Sequence, residues 1–174
     1  MKPQPSPADT LRRVIKVARL DGLSIFVVSG GFALITMVLG DVVGTSVGLL
    51  VAAAGWSEWH GAKLLQRRHA RGINWLVRSQ LYLLVIILLY VMRQMTNYDP
   101  EYVRSMVTPY MKQMFDSVGL DIQQVLPMVR TAFYAIYGTV ALVTLFYQGG
   151  LALYYRRRIA AVQTALAETK QPAC

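Results

Sequence analysis

The nineteen residues from Gly22 to Gly40, GLSIFVVSGGFALITMVLG, contain no Asp, Glu, Lys or Arg and stand between Asp21 and Asp41. A second run of 25 residues, TAFYAIYGTVALVTLFYQGGLALYY from Thr131 to Tyr155, is equally free of charge. Crossing the hydrocarbon of a bilayer, roughly 30 Å, takes about 20 helical residues. A 25-residue helix reaches about 37 Å, enough to cross with tilt. Backbone amides in hydrocarbon must bond within their own segment, so runs of this length predict α-helices. The alternation that marks a barrel strand is absent.

Working outward from these runs, two further segments approach the same standard. Residues 42–62 carry Leu49, Leu50 and Val51 and one acid, Glu58, near their far end; residues 73–93 carry the apolar stretch Leu81 to Val91, with Arg78 in the first turns. The expected fold is therefore an all-α membrane protein, an antiparallel bundle of four transmembrane helices at 22–40, 42–62, 73–93 and 131–155. Composition agrees. The 174-residue chain is 55% apolar and 16% charged, against about 25% charged for a soluble domain. Its mean hydropathy is +0.39. These figures exclude a disordered tail and a disulfide-stapled secreted domain, and they weigh against a soluble enzyme.

The net charge of +9 would suggest nucleic acid in a soluble chain. Here its distribution reads as topology, and no nucleic-acid partner is expected. Fourteen of the 18 basic residues fall in three places: residues 1–21, the 63–72 link with Arg78 just beyond it, and the 156–174 tail. Only Arg93, Arg104, Lys112 and Arg130 remain for the other side, among Asp41, Asp99, Glu101, Asp116 and Asp121. The positive-inside rule then sets both termini in the cytoplasm, with a bacterial inner membrane as the expected location. Lipid is the first partner, and the basic segments face anionic headgroups. The pair Arg12-Arg13 before an apolar run resembles a twin-arginine export signal, but no small-residue cleavage site follows Leu39 and a second span begins at once.

Outside the spans, Asp9 or Thr10 can cap a helix carrying Leu11, Val14, Ile15 and Ala18 on one stripe. This is either a short interfacial helix or an extension of the first span. Residues 96–130 form the one sizeable extracytoplasmic segment. Asp99-Pro100-Glu101 reads as cap, first-turn proline and first-turn acid. Val103, Met106, Val107, Tyr110, Met111, Met114 and Val118 then recur at spacings of three and four, with Pro109 as a kink and Gly119 as the stop. Asp121 and Gln124 make a capping-box variant whose helix continues past Pro127 into the fourth span. Residues 156 to about 168 continue helically, with Ile159, Val162 and Leu166 on one stripe, to pair with the N-terminal helix or with a second copy.

Several motifs bear on function. Gly44, Gly48 and Ala52 form a small-residue stripe, and Gly30, Gly31 and Ala33 on the first span offer a matching surface, either within a tight hairpin or between two copies. Trp56, Trp59 and Trp75 fall near the cytoplasmic interface and act as anchors. An acid in a span needs a partner. Arg78 is the expected partner of Glu58, with Gln80, Gln148 and His60 completing a polar intramembrane cluster. That cluster is an ion pair fixing helix register or, more sharply, a gate or an ion or proton site, with His60 able to titrate near neutral pH.

Met92/Met95 and Met111/Met114 give two M-x-x-M spacings, weak candidates for a soft metal with no His or Cys in support. Cys174 is the one cysteine, which precludes an internal disulfide. No Walker glycine loop, H-E-x-x-H or nucleophile elbow is present. Ser57, Glu58 and His60 lie within one helical turn and cannot converge as a triad. The expected function is non-enzymatic and without cofactor: a self-associating scaffold or accessory component, partnered by copies of itself or other membrane subunits. The alternative is an oligomeric ion channel or small transporter using the polar cluster.

Overall fold

A computed structural model describes residues 6–105, 107–117, 119 and 121–168, with the side chains of residues 102, 116 and 122 outside that description. Lys2, Met106, Val118, Lys170 and Cys174, which enter the sequence reading, lie outside the described residues. Among the described residues seven helices occur in the order α1 (Pro7–Val38), α2 (Val42–Gln66), α3 (Arg71–Thr96), α4 (Pro100–Ser105), α5 (Pro109–Ser117), α6 (Ile122–Arg157) and α7 (Ile159–Glu168). Among the described residues there is no strand. The all-helical expectation holds.

Among the described residues three helices are long and apolar enough to cross a membrane: Pro7–Val38, Arg71–Thr96 and Gln123–Arg157. The second expected span is different. Helix α2 has 25 residues, ample length, but is not one of these three. Its composition gives the reason. Gly44, Gly48, Gly55, Gly61, Ala52, Ala54 and Ala62 are all buried, so much of α2 has traded bulky side chains for close approach to its neighbours.

Two compact units divide the chain, one comprising residues 1–87 and 144–174 and the other residues 88–143. The first is organised by the α1/α2 hairpin. Helix α1 closes with paired backbone bonds, Gly40 N–H to Met37 O at 3.2 Å and Asp41 N–H to Thr36 O at 2.9 Å. This is a Schellman turn, with Gly40 at φ +73°, where a side chain would be strained. Asp41 then caps α2 by accepting from the Gly44 N–H at 2.9 Å. The next turn ends α2 in the same way, His69 N–H to Leu64 O at 2.9 Å, but here Arg68 occupies the left-handed position at φ 59°.

Helix α1 is continuous from Pro7, so residues 7–21 extend the first apolar helix and do not form a separate interfacial one. Ser6 is the cap, in place of the expected Asp9 or Thr10, and accepts from the Asp9 N–H. Pro7 at the first position fits the earlier start: the N–H of that position has no partner within a helix, and proline carries none. The tail helix breaks after Arg157, and α7 folds onto α1. Val162 and Leu166 enter a buried cluster with Val14 and Ala18 of α1, Ala62 and Leu65 of α2, Ile73 and Leu76 of α3, and Tyr155 of α6. Of the two partners open to the tail stripe, the N-terminal helix is the one it meets within the chain.

The second unit holds the end of α3, α4, α5 and the start of α6. Asp99 caps α4 through the Glu101 N–H at 2.9 Å, as the sequence predicts. Pro109 does not kink one long helix. It begins a new one, α5, capped by Thr108 through the Met111 N–H at 3.3 Å. The first turn is where a helix tolerates proline best, and the chain uses that option. Asp121 caps α6, which runs through Pro127 as expected. Tyr90 of α3, Tyr98 of the α3–α4 link and Phe133, Tyr134 and Tyr137 of α6 pack as an aromatic cluster, with ring centroids 4.6 to 6.1 Å apart.

Candidate functional site

The register of the α1/α2 hairpin determines which side chains meet. A Cβ built on Gly48 would lie 2.9 Å from the Ala33 Cβ, and one on Gly44 would lie 2.9 Å from the Thr36 Cγ2. Deeper along the hairpin, a Cβ on Gly55 would come within 2.6 Å of the Phe26 N and 2.7 Å of the Gly22 O. The Gly22–Gly55 crossing is thus a backbone-on-backbone contact. Ala52 is buried on the same helix. Gly30 and Gly31 behave otherwise, since nothing lies within 4 Å of a Cβ at either. A second close crossing, absent from the sequence reading, pairs α2 with α3: a Cβ on Gly72 would approach the Gly61 O to 2.6 Å.

This hairpin carries Glu58 into the interior, where it is 1% exposed beside Gly22. Its partner is not Arg78. Among the described residues Glu58 makes no ion pair. Glu58 Oε1 accepts from the Tyr155 hydroxyl at 2.8 Å, and Tyr155 is itself fully buried. Arg78 is exposed and lines a shallow groove of about 390 Å³ with Ala53, Ser57, Trp75, Ser79 and Tyr82. The physical reason lies in helical phase. Gln80 and Leu76 occupy the buried face of α3, and Arg78 is about 200° of helical turn from either of them.

A carboxylate that the sequence reading used only to mark the end of a span completes the site. Asp21 of α1 accepts from the Tyr147 hydroxyl through Oδ1 at 2.9 Å and from Gln80 Nε2 through Oδ2 at 3.3 Å. Asp21 and Gln80 both lie within interaction range of the Glu58 carboxyl. Gln80 is fully buried and Gln148 6% exposed, and the Oε1 atom of each has no hydrogen-bond partner. Among the described residues the cluster therefore consists of two acids, one amide and two phenols drawn from α1, α2, α3 and α6, with no basic group among these partners, while Gln148 lies on the buried face of α6 next to Tyr147 in sequence.

The remaining expected site residues are elsewhere. His60 stacks on Trp56 at 5.4 Å between ring centroids and meets the edge of Trp75 at 5.8 Å, so it sits in an indole cage and not with the acids. Trp59 carries the Lys63 ammonium 3.4 Å over its ring. Trp56 and Trp75 are each about half exposed. Met92, Met111 and Met114 are exposed, while Met95 contributes its carbonyl to the Tyr134 hydroxyl at 3.3 Å. Among the described residues no three His, Cys, Asp or Glu side chains come together as a metal cage.

One signal could have found Asp21. It stands 19 residues before Gly40, and Glu58 stands 18 after it. Once a tight turn at Gly40 is assumed, the two acids face each other across the hairpin. Comparison of the chain with family models, with curated proteins and with solved structures returns no match.

Proposed function

We propose that this chain is a non-enzymatic integral membrane subunit, a self-associating scaffold or an accessory component of a membrane assembly. The observation that carries the proposal is the exposure of its apolar helices. Only 6% of the apolar window of α6 is buried by the chain itself, and 17% of that of α1. Val140, Leu142, Val143, Leu145 and Phe146 stand outward on α6, as do Val27, Val28, Leu34 and Ile35 on α1. A monomer in water does not leave contiguous apolar surface of this extent uncovered. Lipid covers part of it, and a second copy or another membrane subunit covers the rest.

In this reading α2 crosses as well, giving four antiparallel spans with both termini in the cytoplasm of a bacterial cell. Its close fit along α1 and the basic residues gathered at 1–21, 63–72 and 156–174 support that threading. The polar cluster favours the scaffold over the channel, because Glu58, Gln80 and Gln148 are closed off from solvent by their neighbours. The test is reconstitution of the full chain in nanodiscs, with subunit count by mass photometry and reporter fusions at each terminus. More than one copy per disc and both reporters on one face are expected. Reporters on opposite faces would refute the threading. A single copy per disc together with ion flux abolished by Glu58→Gln would replace the scaffold with the transporter.

A further inference from the structure

The cluster brings the fully buried Glu58 carboxyl and the half-buried Asp21 carboxyl together with no basic group among their partners in the described residues. Buried charges in proteins are paired or hold a cation. Here the partners are neutral donors: the hydroxyls of Tyr155 and Tyr147 and the amide of Gln80. The same cluster holds a second anomaly. Gln80 is fully buried and donates into the cluster through Nε2, yet its Oε1 accepts from nothing, and Gln148 Oε1, also buried, is in the same condition. Buried acceptors without partners are rare. Gln148 adjoins Tyr147 in sequence and lies on the face of α6 that carries Tyr155 two turns later.

Each anomaly supplies what the other lacks, acids without a positive charge beside carbonyl oxygens without a donor. We propose that Asp21, Glu58, Gln80 and Gln148 form a binding site for a hard metal cation, Na⁺ or Ca²⁺, coordinated by oxygen alone. Carboxylate and amide oxygens are the ligands such ions take. Soft metals are disfavoured because neither sulfur nor imidazole reaches the site, His60 being held between Trp56 and Trp75. A proton shared by the two carboxyls would answer the charge but leave both glutamine oxygens as they are. A metal ion uses both kinds of oxygen. One ligand comes from each of α1, α2, α3 and α6, so the ion ties four helices together.

The experiment uses the full chain in nanodiscs of neutral lipid, stripped with chelator, at constant pH and with ionic strength held by N-methylglucamine chloride. The unfolding midpoint is followed by circular dichroism as NaCl, CaCl₂ or MgCl₂ replaces the inert salt. A saturable rise of several degrees with Na⁺ or Ca²⁺ is expected, and whichever ion saturates identifies the occupant. Glu58→Gln removes the rise. Gln148→Leu, which leaves both acids in place, weakens half-saturation at least tenfold and decides the question if Glu58→Gln fails to fold. No rise above the inert salt with Na⁺ or Ca²⁺, or a rise at unchanged half-saturation in Gln148→Leu and in any folded Glu58→Gln, overturns the site. These readouts are independent of subunit count, so failure here leaves the scaffold reading intact.

Discussion

Replacing Gly55 with alanine adds one methyl group at the tightest point of the α1/α2 hairpin. The new carbon would stand 2.6 Å from the Phe26 N and 2.7 Å from the Gly22 O, where ordinary contact begins at 3.4 Å. Both obstacles are backbone, so no side-chain rotation can relieve them, and the helices must separate by roughly 0.8 Å. A gap of that order forfeits a quarter to a half of the dispersion well for the neighbouring contacts. Overpacking of this kind costs about 1–3 kcal/mol. The matched control is Gly30→Ala, where nothing lies within 4 Å of the new carbon. Both substitutions gain the same helix propensity, about 1 kcal/mol for alanine over glycine. Their difference therefore isolates the steric term. Reversible unfolding of each variant in bicelles should rank Gly55→Ala below Gly30→Ala by about 1–3 kcal/mol. Equal stabilities, or a more stable Gly55→Ala, would refute the close crossing and with it the register that brings Asp21 to Glu58.

Three further outcomes follow from the same contacts. Tyr155→Phe removes the hydroxyl that donates to Glu58 and leaves a buried carboxyl oxygen unpaired, lowering stability by about 1–3 kcal/mol; Arg78→Ala, at an exposed position, should change it by less than about 0.5 kcal/mol in the same unfolding assay. Val162→Asp drives a charge into the fully buried α1/α7 contact, so limited proteolysis should release the tail after Arg157 far faster than in the parent chain.

Composition and spacing alone settle a good deal of this protein. Uncharged runs at 22–40 and 131–155 dictate helices because hydrocarbon offers backbone amides no other partner. Asp99-Pro100 and Asp121 fix the starts of α4 and α6 through capping, which is local chemistry within a single turn. What lay beyond the sequence is a matter of phase and register. Whether Arg78 or Gln80 faces inward depends on how α3 is rotated against its neighbours: the two polar residues stand about 200° apart on the helix, and only the packing of α3 selects between them. Pairing Asp21 with Glu58 depends on the turn at Gly40 and on two glycines letting backbones touch, long-range facts that a window of neighbouring residues does not contain. Composition selects the long apolar helices; only packing selects which of their few polar groups meet.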